Sequence, residues 1–347
     1  MDRVAAVACG RPWRRMPLVP LLTLCFWLLP TCASAAPDES DARAWLDRIQ
    51  SAAKGANYQG TMIFIVGGAI SSARVGHYSI GDQTFELRET LDGRQQRVLR
   101  HNDDVLTLWP QARVLVIEKR EGLGAPAMPL AVEPQALEQY HFKPEGPGRV
   151  AGRKAMTFLL EPRDALRYAQ RLWADVATGL MLRADVLGVG SAPGAPRPVF
   201  ETTAFSEVAV GVRPQADSLL QEIRRLRKLE GWRVVRPMQQ RTNLDAEGWA
   251  LARPVSGFKL AGCVRRGMQN AGDEQPVLQV VFSDGLMHVS LFVEPYDSQR
   301  HRNEMHAQQG ATGTLMARRG EHWITVVGDV PATTLKMFAD ALDRRRP

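Results

Sequence analysis

Residues whose types could do chemistry are few in this chain, and they are scattered. His301, Glu304 and His306 in HRNEMH make the one His/Glu cluster. Two histidines five apart do not share a helix face, and the spacing does not suit a closed zinc site, so the segment reads as a mobile loop rather than a metal centre. Ser283-Asp284-Gly285 sets an acid beside a serine, yet Asp-Gly is first of all turn chemistry. Glu86 and Glu89 near Asp92 read as strand and turn carboxylates. There is no Gly-rich phosphate loop, no H-E-x-x-H and no G-x-S-x-G. Nothing assembles a nucleophile, a base and an oxyanion hole, so the expectation is a protein that is not an enzyme and carries neither cofactor nor metal.

What remains is a question of which elements present which faces. Val277 to Glu294, VLQVVFSDGLMHVSLFVE, is the clearest element. An Asp284-Gly285 type I′ turn supplies the positive φ that such a loop needs and makes Ser283 face Leu286. Phe282 then meets Met287, Val280 meets Val289 and Leu278 meets Leu291, giving one wholly apolar face. The other face is mixed, and there His288, Ser290 and Phe292 are the candidate partner contacts, with burial by a neighbouring strand as the alternative. Asp284 and Gly285 themselves are expected to act structurally.

A chain of 347 residues, 45% hydrophobic and 23% charged, is long for one domain, and two is the natural expectation. Its first residues read as an export signal. Arg11, Arg14 and Arg15 form a basic region, Leu18 to Leu29 an apolar one, and Ala33-x-Ala35 fits signal peptidase, so residues 1–35 are expected to be removed. The apolar run is shorter than the roughly 20 residues a spanning helix needs. A lipoprotein signal at Cys32 is the alternative, but Leu29-Pro30-Thr31 is a poor approach to a lipidated cysteine. Cleavage leaves Cys263 as the sole cysteine, read as a small buried apolar side chain without a disulfide partner. It also removes four Lys/Arg and one Asp, so the net charge falls from +7 to +4. That mild excess permits attraction to an acidic partner or anionic headgroups without requiring either.

Along the chain, Asp41 to Lys54 reads as a helix with Trp45, Leu46, Ile49, Ala52 and Ala53 on one stripe. Strands with short turns then run from Tyr58 to about Arg213, interrupted by a Gly/Pro-rich interlude at Gly122 to Pro129 and a short helical piece, PQALEQYH. SAPGAPRP, 191–198, reads as a loose hairpin loop. So many strands with few helices must curl to cover themselves. Met62, Phe64 and Val66 alternate with Ile63 and Ile65, so the first strand is apolar on both faces. Together with Leu106, Leu108, Leu115, Ile117, Phe158 and Leu160, those three are the candidate lining of an apolar cavity in a half-closed barrel; plain burial under a helix is the alternative. Residues 214–247 read as a linker containing a helix with a basic face of Arg224, Arg225, Arg227 and Lys228, too short a run to argue nucleic acid. A smaller domain, 248–347, follows, with one helix on an antiparallel sheet and Arg344 to Arg346 at that helix's negative end.

Several stretches resemble the MucB/RseB family. VFSDGLMHVSLFVE, PVSGF at Pro254 to Phe258 and WITVVGDVP at Trp323 to Pro331 resemble its C-terminal domain. NYQGTMIF, LDGRQQRVLR, GRVAGRKA, RYAQRLWADVATGLMLRADVL and FSEVAVG resemble its N-terminal domain, which is similar to the lipoprotein-carrier fold, an open antiparallel half-barrel around a hydrophobic cavity. Ile70 to Arg74 and Phe85 to Arg88 depart from the family pattern, which bears on ligand detail rather than fold. The resemblance implies a mostly antiparallel α+β chain, with residues 36–213 as the half-barrel and 248–347 as the domain that binds an anti-sigma factor. It further implies a periplasmic regulator that shields the periplasmic part of a membrane-anchored anti-sigma factor from site-1 proteolysis and is released by a lipid or a mislocalised lipoprotein's acyl chains. Assembly into a homo-oligomer stays open. The alternative from another class is a periplasmic carrier of lipids or lipoproteins; the second domain counts against it.

Overall fold

The structure is a computed structural model describing residues 39–119, 132, 133, 135–190, 195–267 and 276–345. The expected export signal, the Gly/Pro-rich interlude, residues 191–194 and Arg346 lie outside the described residues. Residues 37–347 form one compact unit.

Helix α1 (Glu39–Gly55) leads into β1 (Tyr58–Val66), β2 (Ala69–Ile80), β3 (Gln83–Thr90), β4 (Arg97–His101), β5 (Asp104–Trp109) and β6 (Val114–Lys119). After α2 (Ala136–Gln139) come β7 (Tyr140–Val150), β8 (Arg153–Pro162), β9 (Ala169–Asp175), β10 (Met181–Leu187) and β11 (Val199–Val210), then α3 (Ala216–Leu226) and β12 (Arg233–Val235). These strands make one open sheet in the order β12-β6-β5-β4-β3-β2-β1-β11-β10-β9-β8-β7, antiparallel except for β12 beside β6. Helix α1 packs on β2, β10 and β7 at once. Strands β11 and β7, four neighbour steps and roughly 19 Å apart in a flat sheet, also touch directly. The sheet must therefore curl around α1, which fills the trough with Leu46, Ile49 and Ala52. Helix α3 covers the other face, where Leu219, Leu220, Ile223 and Leu226 pack on Phe85, Leu106 and Leu115.

The second sheet joins β13 (Gln239–Arg241), β15 (Lys259–Gly267), β16 (Pro276–Ser283), β17 (His288–Pro295), β18 (Met305–Gln309), β19 (Thr312–Arg319) and β20 (His322–Gly328) in the order β13-β15-β16-β17-β20-β19-β18. Helix α4 (Ala332–Ala341) lays Leu335, Phe338 and Ala339 across it, and β14 (Trp249–Leu251) pairs with β21 (Leu342–Arg344). The chain is thus mostly antiparallel β in two sheets, as the alternation of its residues predicts.

Four local readings need correcting. The β16–β17 register is shifted by two: Ser283 meets His288, Phe282 meets Val289, Val280 meets Leu291 and Leu278 meets Val293. The connection is therefore four residues, 284–287, and the period of two keeps the same side chains on the apolar face. The stretch expected as a linker is built in, with α3 and β12 on the first sheet and β13 on the second. Arg344 belongs to β21 rather than a helix end, because α4 stops at Ala341. His301 is buried, its ring stacked on Trp323 at 4.8 Å, so HRNEMH is not a free loop.

Candidate functional site

The tip of the β16–β17 hairpin is where the two sheets meet. Within the loop, Asp284 Oδ1 accepts from the N–H groups of Leu286 (2.9 Å) and Met287 (2.7 Å), and the Gly285 N–H donates to Ser283 Oγ at 3.0 Å. This side-chain capping stabilises the four-residue loop and explains the shifted register. Gly285 has φ +95°, and a Cβ there would stand 2.8 Å from the Ala136 backbone nitrogen. Its carbonyl accepts the Glu133 N–H at 2.8 Å, and Leu286 packs into the α1-covered core. The glycine is thus required twice, for its backbone angle and for the close approach.

Asp284 Oδ2 points into the first sheet. It accepts the Tyr140 hydroxyl at 3.0 Å and lies 3.4 Å from Arg167 Nε, with both charged side chains wholly buried. Arg167 also donates to Gln139 Oε1 (2.9 Å) and the Ser256 carbonyl (2.7 Å), and its guanidinium sits 4.9 Å from the Phe258 ring. Its Nε has no hydrogen-bond partner, so the pair is held by charge at that atom. Burial, reinforced by the adjacent Asp284, pushes the Tyr140 hydroxyl well above its usual range, so it remains a donor. Arg167 opens the family-like stretch RYAQRLWAD and Tyr140 lies in the helical piece PQALEQYH, but neither stands out in the sequence as a site residue. Their partner lies in the other domain, and sequence spacing holds no signal for them.

A second seam joins β11 to the β18–β19 turn. Glu201 accepts the Ala311 N–H at 2.9 Å, while Thr312 Oγ1 donates to Asp329 at 2.5 Å. Burial first, and Asp329 as a second charge, raise the Glu201 carboxyl. Leu166 accepts from Thr334 Oγ1 at 2.8 Å, and Tyr168 enters the core under α4. Lys259 reaches Glu138 at 3.3 Å and Arg266 reaches Glu118 at 3.9 Å.

The nine residues proposed to line one cavity fall on two faces of the sheet. Met62, Phe158 and Leu160 are buried in the α1-covered core, with Phe64 packed against it and Val66 half-buried at the strand's end. Leu106, Leu108 and Leu115 lie in the α3-covered core, with Ile117 beside them. Register shows why: Leu106 aligns through Leu99 and Leu87 with Gly76, whereas Met62 aligns with Ala73, of opposite parity on β2. An open groove of about 650 Å³ lies on the α3 side, lined by Tyr78, Leu87, Arg74, Arg97, Glu89 and Glu207, none of them among those nine. His288, Ser290 and Phe292 are half-buried on the face of β17 turned away from α4. Cys263 is buried, and desolvation, with Glu247 nearby, raises its thiol to about 11. Among the described residues no three His, Cys, Asp or Glu groups stand together as metal ligands.

Two sheets joined through a buried ion pair make up a two-part, mostly antiparallel β architecture. Residues 41–223 match the MucB/RseB N-terminal domain and residues 243–343 the MucB/RseB C-terminal domain, so the chain belongs to the MucB/RseB family. It is 26% identical over 319 residues to the sigma-E factor regulatory protein RseB of Haemophilus influenzae, covering 92% of this chain and 95% of that protein. It is 27% identical to the sigma factor AlgU regulatory protein MucB of Pseudomonas aeruginosa, covering 93% of this chain and 96% of that one. The Pseudomonas aeruginosa MucA/MucB complex contains a chain that it resembles with a TM-score of 0.62 at 25% identity, over 88% of this chain and all of that one.

Proposed function

We propose that this chain is a periplasmic regulator, without catalytic activity, that holds the periplasmic part of a membrane-anchored anti-sigma factor and shields it from its first protease. An acyl chain entering the α1-covered trough, beside Met62, Phe64, Phe158 and Leu160, weakens that hold. Two relatives are named as sigma-factor regulators and one resembled structure is a MucA/MucB complex, which supports the partner class. The observation that carries the coupling is the hairpin tip. Leu286 sits in the same core as Met62 and Phe158, while the β17 face bearing His288, Ser290 and Phe292 rises from the same hairpin. A ligand that repacks the trough must move Leu286, and the partner face moves with it. Such antagonism needs only a differential affinity between two arrangements, and it is reciprocal.

Protease protection tests the reading. The anti-sigma periplasmic segment is incubated with its site-1 protease and the full chain, or a Phe292→Glu variant. The parent should protect and the variant should not, and a long-chain acyl amphiphile should abolish the parent's protection. Equal protection by both proteins would remove β17 from the interface, and protection indifferent to amphiphile would remove the coupling. A truncation after Arg241 is a poorer test, because it strips the socket around Arg167 and Tyr168 of its partners.

A further inference from the structure

Residues 224–236, RRLRKLEGWRVVR, carry six cations and one acid. That is a net +5 in thirteen residues, more than the +4 of the whole chain after residue 35. The fold sorts this run by side. Leu226, Leu229, Trp232 and Val234 turn inward onto the core of Phe85, Leu106 and Leu115. Arg224, Arg225, Arg227, Lys228, Arg233 and Arg236 are all exposed. Arg227 pairs with Asp104 at 2.6 Å; the other five have no ion-pair partner among the described residues. The Arg233 N–H donates to the Arg113 carbonyl at 2.9 Å, which brings a further exposed arginine alongside. Met238, 77% exposed, follows on the same segment. Some cations elsewhere on this sheet are matched, as Arg153 is with Asp175, Arg171 with Glu145 and Arg183 with Asp185. Those unmatched among the described residues, such as Lys143, Arg149 and Lys154, are spread along the β7–β8 edge rather than gathered in one short run.

We propose that this run is a docking face for an anionic phospholipid surface, with the cations on headgroups and Met238 at the interface. Uncompensated like charges repel one another, and a run that keeps them outward along a helix end and an edge strand suits a diffuse sheet of anions. A nucleic acid would want exposed aromatic side chains for its bases, and here Trp232 is turned into the core. The inference rests on the charge pattern alone and stands whether or not an anti-sigma factor is the partner.

The test is co-sedimentation of residues 37–347 with phosphatidylcholine vesicles, with or without about one-third phosphatidylglycerol, in about 0.1 M salt. The protein should bind the anionic vesicles and not the neutral ones. Each neutralised cation should weaken partitioning roughly fivefold, so Arg224→Gln, Arg225→Gln and Lys228→Gln together should cost about a hundredfold. The control makes the same charge change at the far edge of the sheet, with Lys143→Gln, Arg149→Gln and Lys154→Gln, and should bind nearly as the parent does. All six positions are exposed, and matching melting curves check the fold. Equal loss in both triple variants would show that only net charge matters and overturn the proposal. So would failure to bind anionic vesicles while polyglutamate is captured, which would assign the face to an acidic protein.

Discussion

Replacing Asp284 by Asn separates the loop role of this residue from its charge. Asn keeps an oxygen for the Leu286 and Met287 N–H groups, so the turn itself survives. What is lost is the carboxylate facing Arg167, whose side chain is wholly buried. Removing one partner of a buried pair costs about 3–5 kcal/mol, because the remaining charge stays desolvated. Here Asp164, also 3.4 Å from Arg167 Nε and partly exposed, softens the loss, and about 3 kcal/mol is the expectation. If both domains unfold together, the large unfolding entropy of the whole unit makes that a drop in Tm of roughly 5 °C. Hydrogen exchange localises the effect: the Glu133 amide, which donates to Gly285, should lose protection first. Arg167→Met combined with Asp284→Asn removes both charges and should be less destabilised than the two single costs added together, by more than about 1 kcal/mol. A melting point within about 1 °C of the parent, with Glu133 protection intact, would refute the argument that this pair locks the seam.

Gly285→Ala should cost about 2–3 kcal/mol in a denaturant melt, through its positive φ and the clash with Ala136, against about 1 kcal/mol for Gly93→Ala, also at positive φ but in open space. Equal costs would mean that the seam tolerates a Cβ. The Glu201 carboxyl is raised in the folded state, which therefore binds a proton more readily than the unfolded chain. Stability then falls as pH rises from the ordinary carboxylate range through the raised value and is level above it. Glu201→Gln should flatten that part of a Tm-against-pH profile, and an unchanged slope would show that another group causes it. Cys263 should resist iodoacetamide in the native protein at pH 7.5 and react on unfolding, as mass spectrometry would read, since burial holds its thiol near 11.

The elements were legible wherever side-chain period alone decides them. Strand alternation, the α1 stripe and the apolar face of the β16–β17 hairpin all follow from residues close in sequence. The hairpin face survived a wrong loop length because a shift of two leaves parity intact, whereas the loop length itself depends on Asp284 capping two N–H groups and reaching Arg167. The single cavity failed for the complementary reason. Which face Leu106 shares with Met62 is set by register accumulated across β1 to β5, and no local pattern carries that. The basic helix was legible as a helix, but its docking onto Phe85 and Leu115 was not, because the convex face of a half-barrel looks like any apolar strand surface.

The energetics of the proposed release are feasible only if the seam is neither too weak nor too strong. A switch from 1:99 to 99:1 needs about 5.5 kcal/mol of differential affinity. Each buried CH₂ contributes about 0.8 kcal/mol, so a chain that buries roughly ten methylenes brings about 8 kcal/mol before ordering costs. Undoing the Arg167–Asp284 contact would cost about 3–5 kcal/mol if it left the charges buried, and less if opening the seam let water reach them. In the proposed release, an acyl chain would thus exceed the latch taken alone, whereas a short amphiphile burying about two or three methylenes would not. The trough that such a chain must enter is occupied by Leu46, Ile49 and Ala52 of α1, so entry displaces the helix as well as Leu286. If release works as proposed, that requirement would favour long chains, because the ligand would have to replace the apolar contacts of α1 before any surplus remained to open the seam.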